Sequence, residues 1–231
     1  MTISAADGTK VYAELVRSKN EAKKGVVLMF HQAGSNRHEY DTIAPRIAEW
    51  GWDCLKVDQR TGGDMWGESN QTKAEFGEGA DYEEAYADLL AALKWAEGEG
   101  YVWIVPFGSS YSASLALRLA SESKAVDAVV AFSPGEYFPE KGVVAEWNSK
   151  VEVPVFIGAT SEEMAVGDVY EIYDKKPDAA ARGLDVVFGS AKGVHGASTL
   201  RQEKSEAAEE YWSALERFFK SLESGGKNFG G

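Results

Sequence analysis

The sequence predicts an α/β fold: a mostly parallel sheet of about eight strands, helices on both faces, and no large cap domain. Three observations carry that reading. Continuous apolar runs of strand length recur along the chain, the pattern of strands buried on both faces. Segments with helical spacing separate them, as crossovers between parallel strands require. Only the first segment reads as a hairpin, so any antiparallel pairing belongs at the start.

In chain order, "ISAADGTKVYAELVR" gives a short strand, an Asp7-Gly8 turn and a second strand with Val11, Ala13 and Leu15 alternating. "GVVLMFH" (25–31), "DCLKVDQ" (53–59), "YVWIVPF" (101–107), "VDAVVAFS" (126–133), "VEVPVFIGA" (151–159) and "LDVVFGS" (184–190) supply the central strands. Over 81–97, Tyr82, Tyr86, Leu89, Leu93 and Ala96 form one helical stripe, and Asp81 with Glu84 resembles a helix-start cap. Ala208, Tyr211, Leu215, Phe218 and Leu222 repeat that stripe over 207–222. After Ser110, alanines and leucines wrap most of the surface, which predicts a helix buried against the sheet. Residues 60–80 form the longest irregular stretch, expected to be a site wall or a lid. The expected organisation is a single domain over 1–223 followed by a flexible tail, "SGGKNFGG" (224–231).

Composition narrows the function. Of 231 residues, 44% are hydrophobic and 12% aromatic, enough for a real core. A formal net charge of −13 argues against nucleic acid, whose phosphates need a basic footprint, and against anionic membranes. No apolar stretch approaches the ~18 residues of a membrane span. Cys54 is the single cysteine and lies in an apolar run, so the expectation is a buried thiol, no intrachain disulfide and no multi-cysteine metal site. Three dispersed histidines complete a poor ligand set, so no metal is expected. "HQAGSN" after the first central strand is not a dinucleotide-binding G-x-G-x-x-G. No basic-then-apolar leader is visible at the N-terminus. Location stays open: the lack of disulfides suits the cytoplasm, and a removed leader would suit the periplasm or secretion.

Open α/β sheets place their sites beyond the carboxyl ends of the strands. Those ends deliver His31-Gln32-Ala33-Gly34, Asp58-Gln59-Arg60, Ser110, Ser133 to Tyr137, Ser161-Glu162-Glu163 and Gly193 to Gly196. A serine, several carboxylates and a histidine, His195, thus arrive at one edge in the order Ser, acid, His.

That order, with Gly108-Ser109-Ser110-Tyr111-Ser112 in a strand-to-helix turn, resembles the α/β-hydrolase superfamily, in particular compact dienelactone hydrolases and carboxylesterases, over essentially the whole chain. The match to G-x-S-x-G holds in four positions, and Ser112 replaces the final glycine. The resemblance implies a cofactor-free serine hydrolase acting on small-molecule carboxylic esters, small or short-chain, as a monomer or homodimer. It makes Ser110 the nucleophile, with Ser109 simply small enough for the turn, and His195 the general base. His31 would be structural, and His38 would face solvent. For the acid it favours Glu162, with Glu163 close behind and Glu136 as a distant alternative. The oxyanion hole would use the backbone N–H groups of Tyr111 and Ala33, with Gln32 the alternative to Ala33. Arg60 in "DQR" would pin loops. Trp66, Tyr137 and Phe138 are the candidate substrate-binding aromatics. A binding protein that has lost the chemistry, or a thioesterase or small-peptide hydrolase with the same triad, are the rival readings.

Overall fold

The computed structural model describes residues 1–19, 25–77, 79–166, 168–176 and 184–225. Strands β1 (Thr2–Ser4) and β2 (Lys10–Val16) are the two arms of the expected hairpin. The chain continues through β3 (Val26–Phe30), α1 (Ile43–Glu49), β4 (Asp53–Val57), α2 (Gln71–Phe76), α3 (Tyr86–Gly98), β5 (Ile104–Ser109) and α4 (Tyr111–Glu122). It ends with β6 (Val129–Phe132), α5 (Val143–Asn148), β7 (Val155–Thr160), α6 (Ser161–Ala165), α7 (Asp168–Asp174), β8 (Val186–Ser190) and α8 (Ala208–Gly225). The eight strands of the described residues join one sheet in the order β1-β2-β4-β3-β5-β6-β7-β8. Strand β2 is antiparallel to β4, and every pairing from β4 to β8 is parallel.

Alternate side chains of the central strands feed two cores. Val26, Leu28 and Phe30 face α3, α4, α5 and α7, through Leu89, Leu115, Val144 and Ile172. Val27 and Met29 face α1 and α8, through Ile43, Ile47, Leu215 and Phe218. This two-sided cover explains why the strands read as unbroken apolar runs. Cys54 is buried in the second core, and burial pushes its thiol well above the usual range.

Several sequence expectations shift. Strand β5 runs on to Ser109, so the serine turn follows it without a spacer. The Asp81–Glu84 cap forms, each side chain accepting from the other's backbone N–H at 2.9 Å, but regular helix begins only at Tyr86. Helix α8 carries through Ser224 to Gly225, past the expected start of the tail; residues 226–231 lie outside the described residues. The 60–80 stretch, described except for residue 78, contains a 3-10 turn (Met65–Gly67) and α2. It is tied down, because the Asn36 side-chain amide reaches the carbonyls of Gly63, Met65 and Glu68 within 3.0 Å.

Arg60 is a pin, as expected. Its guanidinium bonds Asp88 of α3 at 2.8 Å and Asp7 of the hairpin turn at 2.6 Å, and stacks on Phe76. Arg60→Met would leave the fully buried Asp88 carboxyl without its partner. We expect a loss of about 3–5 kcal/mol in urea unfolding, since the remaining charge stays desolvated. A change under about 1 kcal/mol would contradict this.

Candidate active site

Order in the sheet reverses at β3, with β4 on one side and β5 on the other, which opens a crevice at the strand ends. Register aligns those ends: Phe30 lies beside Gly108 and Val57, Ser109 beside Phe132, and Phe132 beside Gly158. The residues that follow each strand therefore meet at one rim.

Ser110 occupies the turn between β5 and α4 at φ 62°, ψ −127°, outside the regions a serine ordinarily adopts. Such a conformation costs about 1–3 kcal/mol and persists only where its surroundings impose it. Here the Ser110 N–H donates to the Phe132 carbonyl at 2.8 Å, and α4 starts at the next residue. A Cβ at Gly108 would come within 2.2 Å of the Ser112 carbonyl oxygen, so that position must be glycine. Ser112, in place of the motif's last glycine, is more than a tolerated small residue. Its hydroxyl donates to the Phe30 carbonyl at 2.6 Å and accepts the Ser109 N–H at 2.9 Å, tying β3 to β5.

His195 follows β8. Its Nε2 lies 2.8 Å from Ser110 Oγ, and its Nδ1 lies 2.5 Å from Glu163 Oε1. Two backbone N–H groups just after it fix the loop: Gly196 donates to Ser133 Oγ at 2.9 Å, and Ala197 to Ser109 Oγ at 2.8 Å. Ser109 is thus a hydrogen-bonding residue, not only a small one, and its own hydroxyl donates to Glu39.

The carboxylate on the histidine is Glu163, and Glu162 is corrected. Thr160 and Glu163 form a capping box at the start of α6: the Glu163 N–H donates to Thr160 Oγ1 at 3.1 Å, and Glu163 Oε2 accepts the Thr160 N–H at 2.7 Å. Ser133, itself at φ 51°, donates its hydroxyl to the same Oε2 at 2.9 Å. With Oε2 held twice, Oε1 is aimed at His195. Glu162, one position earlier in the first helical turn, is exposed. Glu136 is engaged elsewhere, accepting the N–H groups of Val144 and Ala145 at the start of α5. The signal in the sequence was "TSEE": a threonine followed three residues later by a glutamate marks a capping box. Burial raises the Glu163 carboxyl, but hydrogen bonds from His195, Thr160 and Ser133 outweigh it and leave the group below its usual range.

Gln32 and Ala33 are separated by their partners. The Gln32 N–H donates to Glu39 Oε2 at 2.9 Å, whereas the N–H groups of Ala33 and Tyr111 have no acceptor among the described residues. The Tyr111 side chain is buried, bonded to Gln59 and Thr61 and stacked on Tyr82 at 4.4 Å. His31 is fully buried; its Nε2 accepts the Gln59 N–H at 2.9 Å, and burial keeps its pKa low. His38 is half-buried against Asp41 rather than facing solvent.

A cavity of about 260 Å³ beside Glu163 is lined by Pro134, Gly135, Tyr137, Glu163, Val166, Asp168 and Val169. The Tyr137 hydroxyl donates to the Ser133 carbonyl at 3.0 Å, and burial raises its pKa. The other two aromatic candidates are corrected. Phe138 is buried edge-on against Trp147. Trp66 bonds Ser35 at 2.8 Å and lies under Arg201, joining two loops outside this cavity. No described residue from 60–80 lines the cavity either; its wall comes from α6, α7 and the segment after β6. A larger cavity of about 640 Å³ between α5 and α7 touches none of Ser110, Glu163 and His195. Among the described residues no group of three or more His, Cys, Asp or Glu side chains could hold a metal ion.

A mostly parallel sheet whose order reverses at β3, a strained serine after the neighbouring strand β5, and a histidine bridging that serine to a carboxylate are the marks of a hydrolase of the α/β-hydrolase fold. The chain belongs to the dienelactone hydrolase family, whose sequence model matches residues 11–223. Its fold is similar to that of an esterase from Pyrococcus furiosus, at 20% identity and a TM-score of 0.71 over 95% of this chain and 90% of that one. A dienelactone hydrolase from Anabaena variabilis is similar at 17% identity and a TM-score of 0.69, covering 94% and 93%. The esterase Est1E of Butyrivibrio proteoclasticus, solved with ferulic acid bound, gives 16% and 0.65, covering 94% and 99%. No curated protein sequence matches the chain.

Proposed function

We propose that the protein hydrolyses small carboxylic esters through a Ser110–His195–Glu163 triad and an acyl-enzyme. The observation that carries this reading is the unbroken hydrogen-bond line from Ser110 Oγ through both ring nitrogens of His195 to Glu163 Oε1. Ser110 Oγ attacks the ester carbonyl as His195 Nε2 takes its proton. Glu163 holds the Nδ1–H tautomer and stabilises the imidazolium that forms. The N–H groups of Tyr111 and Ala33 take the developing oxyanion, a contribution of about 3–4 kcal/mol per donor. Collapse expels the alkoxide, which takes the proton from His195. Water, deprotonated by His195, then attacks the acyl carbon; the acid leaves as the C–Oγ bond breaks, and Ser110 Oγ takes the proton back from His195.

The cavity walls support a small substrate. A cavity near 260 Å³ lies at the small end for ligand sites and suits a short acyl or alcohol group. Half-exposed His195 leaves the site open on its other side. The esterase and dienelactone hydrolase neighbours are consistent with this chemistry. The test is turnover of p-nitrophenyl acetate, butyrate and decanoate. We expect kcat/KM to fall at least tenfold from the short esters to the decanoate. No turnover of any ester, together with no labelling by a fluorophosphonate, would overturn the proposal.

A further inference from the structure

Glu39 is fully buried and takes no part in the steps above. It lies in a 3-10 turn (Arg37–Tyr40) that follows the loop carrying Ala33. Its Oε2 accepts the Gln32 N–H at 2.9 Å. Its Oε1 accepts the Ser109 hydroxyl at 2.8 Å, the Gln32 side-chain amide at 3.3 Å and, more loosely, the Ser198 hydroxyl at 3.5 Å. Every one of these partners is a donor, and both oxygens act as acceptors. Burial nevertheless raises the carboxyl above its usual range, because no lysine or arginine among the described residues pairs with it. Burying an unpaired acid is costly, so a purely space-filling role would be better served by an apolar side chain.

The three segments it joins are those that must be in register for the reaction. Gln32 precedes Ala33, Ser109 precedes Ser110, and Ser198 sits three residues after His195. Ser109 extends the link, since its Oγ also accepts the Ala197 N–H at 2.8 Å. Gln32 closes it, donating its side-chain amide to Ser198 Oγ at 3.0 Å. We infer that Glu39 is a positioning residue for catalysis: by occupying the Gln32 N–H and the Ser109 hydroxyl together, it turns the Ala33 N–H toward the oxyanion and holds that donor in register with Ser110 and His195. This rests on the serine-esterase reading above.

Glu39→Gln tests it, being nearly isosteric. The amide puts an NH₂ where either the Gln32 N–H or the Ser109 hydroxyl needs an acceptor. The measurement is kcat and KM for p-nitrophenyl acetate, with inhibition by phenylboronic acid, whose tetrahedral adduct on Ser110 places an oxygen at the oxyanion position. The expected result is a fall in kcat of at least tenfold, KM within threefold, and a rise in the boronate Ki of the same order as the fall in kcat. A merely structural role would not move kcat and boronate affinity together. A kcat within twofold of wild type, or a loss carried by KM with boronate affinity intact, overturns the inference. Should Glu39→Gln fail to fold, Ser198→Ala removes a single link in the same network. It is expected to lower kcat about threefold with KM unchanged, and no change in kcat overturns the inference. Wild-type protein that turns over no ester overturns the esterase reading and what rests on it. Wild-type turnover with an unaffected Glu39→Gln overturns the positioning role alone.

Discussion

Ser110→Ala and His195→Ala are each expected to lower kcat/KM for p-nitrophenyl acetate by about 10⁴–10⁶-fold, with the double variant scarcely worse than either single one. The reason lies in the 2.8 Å contact between Ser110 Oγ and His195 Nε2. A serine hydroxyl is a poor nucleophile at neutral pH until a base takes its proton, and the base has no role without the hydroxyl. Removing either member therefore removes the same step. Residual activity would come from the oxyanion donors and from binding, which both variants retain. KM should change little, because neither side chain is needed to hold the ground-state ester. Retention of more than a tenth of wild-type kcat/KM by Ser110→Ala would contradict the assignment.

Two adjacent glutamates give the second large effect. Glu163→Ala is expected to cost about 10⁴-fold in kcat, by analogy with losing the orienting carboxylate of any such triad. Glu162→Ala should stay within about twofold, the range of an exposed substitution away from special contacts. The contrast is sharp because the difference is positional, not chemical. Glu163 has one oxygen fixed by the Thr160 N–H and the Ser133 hydroxyl and the other on His195 Nδ1. Glu162, at the neighbouring helical position, turns to solvent. Equal losses from the two substitutions, measured on protein with unchanged thermal unfolding, would show that α6 is placed differently in solution.

The sheet was legible in the sequence because its strands are covered on both faces, which leaves unbroken apolar runs that only this class of sheet requires. Ser110 was legible for a local reason: Gly108 and the small residues around it answer to steric demands within five positions. His195 was found by its place after the last strand. The acid was harder, since a helix and a strand end meet there and the register of one turn decides which glutamate faces inward. Only the capping relation of Thr160 with Glu163 encodes that, and it reads as secondary structure before it reads as chemistry. The roles of Glu39, Ser109, Ser112 and Ser133 were hidden for another reason. Each has a partner 30 to 88 residues away in sequence, on a segment brought close only by the fold. Trp66 and Phe138 misled because a loop aromatic looks the same whether it lines a pocket or packs against a neighbour.

In the proposed reaction the acyl group passes through Ser110. Acid-quenching the enzyme during turnover of p-nitrophenyl acetate and mapping the peptides by mass spectrometry tests it most directly. The expected result is an acetyl group on Ser110, present in wild type and in Ser109→Ala and absent from Ser110→Ala. Steady turnover with no acetylated Ser110, or an acetyl group on Ser109 instead, would contradict it.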